Sequence, residues 1–114
     1  MNKKYLIREY LTSVGKNPFR EWINGLDLNI KAKIQARIFR FETGNLGDCK
    51  PVGKGVFEAR FNFGPGYRLY FGFEGNNIIL LLMGGDKRTQ KRDITKAHQF
   101  WSDYKKEKKN VKEK

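Results

Sequence analysis

The chain has 114 residues, 39% of them hydrophobic and 14% aromatic, with nine phenylalanines. That length suits one compact domain around an aromatic core, and the composition is one that folds. Lys and Arg number 24 against 12 Asp and Glu, a formal net charge of +12; residues 105–114 carry +4 of it, which leaves +8 on the body. A body this basic points to a polyanion, with nucleic acid ahead of a ribosome, an acidic protein or a membrane surface. No apolar run approaches the roughly 18 residues of a membrane span, and the segment after Met1 lacks the apolar stretch of a signal peptide. A single cysteine, Cys49, excludes an internal disulfide and any multi-cysteine metal site. The expected location is the reducing cytoplasm.

Residues 3–11 read as a first strand, with Tyr5, Ile7 and Leu11 toward one side. Asn17-Pro18 is a helix start: an N-cap residue followed by proline at the first helical position. The helix turns Phe19, Trp22, Ile23 and Leu26 inward. It breaks at residues 25–27, where Asp27 can cap a second helix. That second helix has apolar residues at Ile30, Ile34, Ile38 and Phe41, a one-faced stripe. Lys31, Lys33, Arg37 and Arg40 lie off the stripe and are expected in water or on a ligand. Gly44-Asn45-Leu46-Gly47 ends the helix, consistent with a left-handed C-cap.

The pattern then changes to period two. Phe57, Ala59, Phe61 and Phe63 share one strand face, and Glu58, Arg60 and Asn62 the other. After Gly64-Pro65-Gly66, Tyr67, Leu69, Phe71 and Phe73 share a face opposite to Arg68 and Tyr70. Gly-Pro-Gly between alternating runs predicts a hairpin. Pairing Phe63 with Tyr67 puts Phe61 across from Leu69, Ala59 across from Phe71 and Arg60 across from Tyr70. Arg60, Arg68 and Tyr70 are therefore expected as one polar cluster on the face away from the helices.

Gly75-Asn76-Asn77 is a further turn. Ile78–Met83 is apolar throughout, as in a strand buried on both faces. Gly84-Gly85-Asp86-Lys87 reads as a flexible exit loop. A last helix spans about Thr89 to Lys106, with Ile94, Ala97, Trp101 and Tyr104 on one stripe. The expected organisation is one domain over 1–106 and a basic, disordered tail over 107–114. The order β-α-α-β-β-β-α describes an α+β domain: an N-terminal strand and helical hairpin packed on a small, mainly antiparallel sheet, with a C-terminal helix.

Four runs in order resemble the RelE/HigB-type toxins of bacterial toxin–antitoxin pairs, within the RelE/ParE superfamily, and specifically the phage-derived addiction module killer protein branch. They are residues 17–22 (Asn-Pro-Phe-Arg-Glu-Trp), 55–60 (Gly-Val-Phe-Glu-Ala-Arg), 64–71 (Gly-Pro-Gly-Tyr-Arg-Leu-Tyr-Phe) and 80–87 (Leu-Leu-Leu-Met-Gly-Gly-Asp-Lys), the last continuing through Thr89-Gln90 to Asp93-Ile94. The resemblance covers about residues 3–104. It implies a RelE-like fold and a messenger-RNA endonuclease acting in the ribosomal A site. It also implies silencing by a cognate antitoxin, usually of helix-turn-helix type, and no cofactor. Arg68 stands where the family's arginine contacts the scissile phosphate; Arg60 matches a basic residue on the preceding strand, and Lys87 and Arg88 the basic loop. Better-studied members carry paired lysines where this chain has Glu58 and Arg60, and a tyrosine or histidine near the end of the domain. The general acid and base do not transfer.

Metal-free RNA cleavage needs a base for the 2′-hydroxyl, an acid for the leaving 5′-oxygen and cations for the phosphate. Arg68 fits the last role, since a guanidinium grips phosphate through two parallel hydrogen bonds and stays charged; otherwise it is a sheet-surface arginine paired with a carboxylate such as Glu58. Arg60 is a second clamp or a partner of Glu58. Glu58 is a general base or an anchor for Arg60. Tyr70 orients the phosphate, stacks on a base or simply packs. Lys87 completes the catalytic set, and Lys54, Arg88, Lys91 and Arg92 the RNA-contacting one. His98, the one histidine, lies beside the last helix's inward stripe, away from the cluster. No spacing of His, Cys or carboxylates suggests a metal. Two other readings remain on the same fold: a ParE-like gyrase poison that binds without cutting RNA, and an inactive basic RNA-binding remnant.

Overall fold

The computed structural model describes residues 3–113, with side chains described through Lys109. Five strands and three helices run in the order β1 (Leu6–Glu9), α1 (Pro18–Asn24), α2 (Leu28–Phe41), β2 (Cys49–Pro51), β3 (Val56–Arg60), β4 (Tyr67–Glu74), β5 (Ile78–Asp86), a 3-10 turn (Lys87–Thr89) and α3 (Gln90–Glu113). The sheet order is β1-β5-β4-β3-β2. β1 runs parallel to β5 and the other pairs are antiparallel, so the fold is the expected α+β type. No helix among the described residues is long and apolar enough to cross a membrane.

Several local signals act as expected. The Asn17 side chain accepts a hydrogen bond from Arg20 N at 2.9 Å and so caps α1. Gly44 adopts a φ of +90°, the left-handed geometry that glycine tolerates, just beyond α2. Other expectations need correction. Asp27 occupies the N-cap of α2 but makes no capping hydrogen bond with its side chain. β1 is confined to residues 6–9. β2 is an additional strand, pairing Cys49 with Ala59; three residues ending in proline are too few to show an alternating pattern. α3 continues through Glu113, past the boundary placed at Lys106.

The sheet is covered on both sides. On one, Phe19, Ile23, Ile34 and Phe41 of the helical hairpin pack against Ala59, Leu69, Phe71, Ile79 and Leu81. On the other, Ala97 and Trp101 of α3 pack against Val56, Tyr70, Leu80 and Leu82. The face expected to be open and polar is therefore largely roofed by α3. A register shift between Tyr70 and Phe71 leaves Leu82 out of the pairing, so Leu82 and Met83 both join the α3 side.

The β3–β4 hairpin closes two residues away from the expected register. Phe57 pairs with Phe71, Glu58 with Tyr70, Ala59 with Leu69 and Arg60 with Arg68. The cause is a wider turn: Phe61 N bonds Tyr67 O, Gly66 N bonds Phe63 O, and Gly64 and Gly66 both take positive φ. Because side chains alternate with period two, a two-residue slip keeps every side chain on its assigned face while changing its partner.

Arg37 also departs from expectation. It is 9% exposed and donates to the carbonyls of Leu46, Asp48 and Arg60, with its guanidinium 4.6 Å from the Phe61 ring centroid. It ties α2 to the end of β3 and to the chain entering β2.

Gly84 and Gly85 lie within β5, not in a flexible loop. A Cβ on Gly84 would stand 2.2 Å from the Trp22 indole, and one on Gly85 would stand 1.9 Å from Asp93 Oδ2. These glycines let α1 and the start of α3 touch the sheet backbone from opposite sides. Gly84→Ala is expected to destabilise the fold by about 1–3 kcal/mol through overpacking, read as a lower urea midpoint. An unchanged midpoint would mean that Trp22 is free to move aside.

Candidate functional site

The site forms at one end of the sheet, where the β3–β4 turn meets the exit of β5. Lys87 N bonds Pro65 O at 3.4 Å, which docks the turn onto the 3-10 segment. Gly66 lies between the side chains of Arg68 and Lys87: a Cβ there would be 3.2 Å from Arg68 Nη1 and 3.5 Å from Lys87 Cβ. The Gly-Pro-Gly turn thus brings Arg68 and Lys87 together by leaving out a side chain between them.

Arg68 is held along one edge. Its side chain is 11% exposed, and Nη1 donates to Gly66 O at 2.9 Å. Nε faces Glu58 Oε1 at 3.7 Å, an ion pair too long for a hydrogen bond. Neither of those two atoms has a hydrogen-bond partner among the described residues. Nη2 makes no hydrogen bond among the described residues and is not among the buried unpartnered atoms, so it keeps some contact with solvent.

Glu58 is fully buried. Its Oε2 accepts from the Tyr70 hydroxyl at 3.0 Å and from Gln90 Nε2 at 2.8 Å. Glu58 therefore joins β3, β4 and α3, and its carboxylate faces Arg68, the partner open to it from the sequence, while Arg60 pairs with Asp48 instead. Tyr70 is also fully buried, so its ring has no free face on which a nucleobase could stack. Burial, followed by the neighbouring Glu58 charge and the hydrogen bond to it, pushes the Tyr70 phenol well above the usual range for tyrosine.

Arg60 lies directly across from Arg68 and pairs with Asp48 at 3.2 Å. Its Nε is buried without a hydrogen-bond partner among the described residues. Like charges directly opposite one another on adjacent strands are unfavourable. Glu58 and Asp48 each offset one member of the pair.

Around the turn, Lys87, Arg88, Lys91 and Arg92 are exposed and line a shallow groove with Thr89 and Gln90. Asp86 anchors this segment. Its side chain accepts from Arg88 N at 2.8 Å and pairs with Arg88 Nη2 at 3.2 Å, which holds its carboxyl below the usual carboxylate range. Thr89 donates to the buried Asp93 in the next turn. Lys54 does not join the cluster. It borders His98, Trp101 and Ser102, about two to three turns along α3 from Gln90. His98 stays apart too, its Nε2 3.0 Å from Val52 O.

Gln90 and Arg37 were absent from the sequence-derived site, yet each had a signal. Gln90 extends the inward stripe of α3 (Ile94, Ala97, Trp101) back by four residues. Arg37 stands three after Ile34 and four before Phe41 on the stripe of α2. A polar residue on an apolar stripe needs a buried partner, and both have one.

Chemically, the arrangement presents a fixed guanidinium edge beside a basic rim, suited to gripping a phosphate. Glu58 is too deeply buried to reach a 2′-hydroxyl, and it acts by orienting Arg68. Tyr70 also governs alkaline stability. Its folded pKa lies above the unfolded value of about 10, so its contribution is intact below that pH and is lost as pH rises beyond it. Tyr70→Phe should cost about 1–3 kcal/mol at neutral pH by leaving Glu58 short of a donor. It should also make the fall in urea-unfolding stability above pH ~10 shallower. Some slope should remain, because burial also raises Tyr10 and Tyr104. An identical alkaline slope in the variant would rule out this role.

A protein from Haemophilus influenzae, itself uncharacterized, is 48% identical over 80 residues, covering 69% of this chain and 81% of the relative. The family model described as phage-derived protein Gp49-like (DUF891) matches residues 21–102, a span that includes β3, β4, β5 and the start of α3, and the chain belongs to that Gp49-like family.

Proposed function

We propose that this chain is the toxin of a RelE/HigB-type toxin–antitoxin pair, a metal-independent endoribonuclease that cuts messenger RNA on the ribosome in the cytoplasm. A cognate antitoxin, an acidic protein of helix-turn-helix type, would neutralise it. The Gp49-like family, associated with addiction-module toxins, supports the general class. The observation that carries the reading further is the opposed pair Arg60 and Arg68, each with an unpartnered buried Nε, beside the exposed Lys87–Arg92 rim. Two arginines at paired positions on adjacent strands favour a bound polyanion, and Arg68 Nη2 is the donor free to meet it.

In this reading Arg68 stabilises the charge that builds on the scissile phosphate, and Glu58, Tyr70 and Gln90 fix its orientation. Arg60 and Lys87 add positive potential on either side. Arg88, Lys91 and Arg92 hold the flanking phosphates. Lys54 contacts RNA only if the bound strand continues along α3 to His98. Proton transfer falls to groups outside Glu58 and Tyr70, whose burial removes both from the reacting oxygens.

Induced expression in bacteria should arrest growth and produce new RNA ends inside translated codons. Arg68→Ala should reduce cleavage by about 10²–10³, the usual cost of losing a charge-stabilising donor, compared at equal folded protein as read by circular dichroism. Arg68→Lys should recover only part of the loss, because a lysine lacks the two-pronged grip. Undiminished cutting by Arg68→Ala would sink the site assignment. Growth arrest with intact messenger RNA and a DNA-damage response would favour a gyrase poison, and harmless expression of the folded protein an inactive binding remnant.

A further inference from the structure

α2 has two faces, and the fold uses only one. Ile34, Arg37 and Phe41 are buried against the sheet. On the opposite side Leu28 is 81% exposed and Phe39 is 69% exposed. Ala32 and Gln35 lie between them, also exposed. The spacings of four, three and four residues put these four side chains on a single line along the helix, as in the seam of a coiled coil. At one end Gln35, Ile38 and Phe39 border a groove that reaches the core residues Phe19 and Leu81. Among the described residues, nothing covers this seam.

We propose that the outer face of α2 is a docking seam for an acidic amphipathic helix of a partner protein. Cations flank the seam on both sides, Lys31 on one and Lys33 and Arg40 on the other, as the 100° step between successive helical residues requires. Lys31 Nζ bonds Asn24 Oδ1 at 2.9 Å, and Lys33 Nζ stands 4.9 Å from the Phe63 ring centroid. Of the nearby carboxylates, Glu42 pairs with Lys3 at 3.1 Å and Glu9 pairs with Arg20, while Asp27 at the N-cap has no side-chain partner among the described residues, so the flanks keep a net positive charge. An apolar stripe bordered by lysine and arginine selects a helix with apolar anchors at the same spacing and acidic residues beside them. A second copy of this chain would set Lys31, Lys33 and Arg40 against their own counterparts. A nucleic acid would engage the cations and leave Leu28 and Phe39 in water.

This surface lies across the sheet from α3, so its occupant leaves Arg68 uncovered. The inference stands whether or not the chain cuts RNA.

The test uses the full chain and a labelled synthetic helical peptide with leucines at the seam positions and glutamates flanking them. A counterpart peptide carries lysines in place of the glutamates. Fluorescence anisotropy should show saturable binding of the glutamate peptide only. Leu28→Ser combined with Phe39→Ser should weaken it at least ~10-fold, as expected when central apolar anchors are lost. Both positions are exposed, and a thermal melt checks that the fold is kept. Lys91→Ala combined with Arg92→Ala, on the other side of the molecule, should leave binding unchanged. Equal binding by the serine variant would reduce the effect to net charge and overturn the proposal. So would equal binding of the lysine peptide, or a dimer in sedimentation that the serine variant abolishes.

Discussion

The buried carboxylate of Glu58 is the constraint on which the site end of the fold depends. A carboxylate removed from water is costly unless donors and a counter-charge replace its hydration. Here the replacements come from three separate places: the Tyr70 hydroxyl on β4, the Gln90 amide on α3 and the Arg68 guanidinium on β4. Satisfying Glu58 therefore requires the β3–β4 register, the docking of α3 and the orientation of Arg68 together. The dependence is reciprocal. Arg68 is nearly buried, and without Glu58 its Nε would lose its ion-pair partner. The cluster couples local order in the hairpin to the seating of the last helix.

The seating of α3 is reinforced along its length by close approach. Trp101 lies flat enough on the sheet that a Cβ on Gly72 would fall 2.8 Å from its ring, and one on Gly55 would fall 2.8 Å from its indole nitrogen. Further along, the Tyr104 hydroxyl donates to Glu74 at 2.6 Å, and Lys108 pairs with the same carboxylate at 3.5 Å. These contacts fix the helix at its middle and beyond, so the position of Gln90 at its start follows from packing as well as from its own hydrogen bond. Arg37 performs a similar service on the other side of the sheet, satisfying three carbonyls near the end of β3. Arg60 is thus held by its backbone from α2 while its side chain reaches Asp48.

Much of this was legible in the sequence, and the failures have physical causes. Periodicity assigned the faces of β3 and β4 correctly, because alternation depends only on parity. It could not choose between registers differing by two residues, since both bury the same apolar set; the turn geometry decided, and it moved Tyr70 from Arg60 to Glu58. The isoleucines reveal the α2 stripe, but the charge of Arg37 points to water or a ligand while its position, three after Ile34 and four before Phe41, points inward, and position wins. Gly84 and Gly85 looked like loop glycines. Their reason is the approach of Trp22 and Asp93, distant in sequence and invisible to a local pattern. β2 was too short to leave a signature.

The identity of the residue at position 58 limits the chemistry available to the proposed activity. A lysine at this place would add a proton carrier and a positive charge beside a bound phosphate. Glutamate does neither from its buried position; it lowers the local charge and in return fixes the guanidinium. Catalysis of this kind relies on preorganisation: a donor already aimed where charge develops does not have to be reoriented as the reaction proceeds. The 3.7 Å gap between Glu58 Oε1 and Arg68 Nε leaves each of these atoms without a hydrogen bond. A phosphate drawn to Nη2 can therefore shift the guanidinium slightly without breaking its link to the carboxylate. A site built this way stabilises charge well and moves protons poorly, which places the burden of proton transfer on the exposed rim or on the surface to which the substrate is bound.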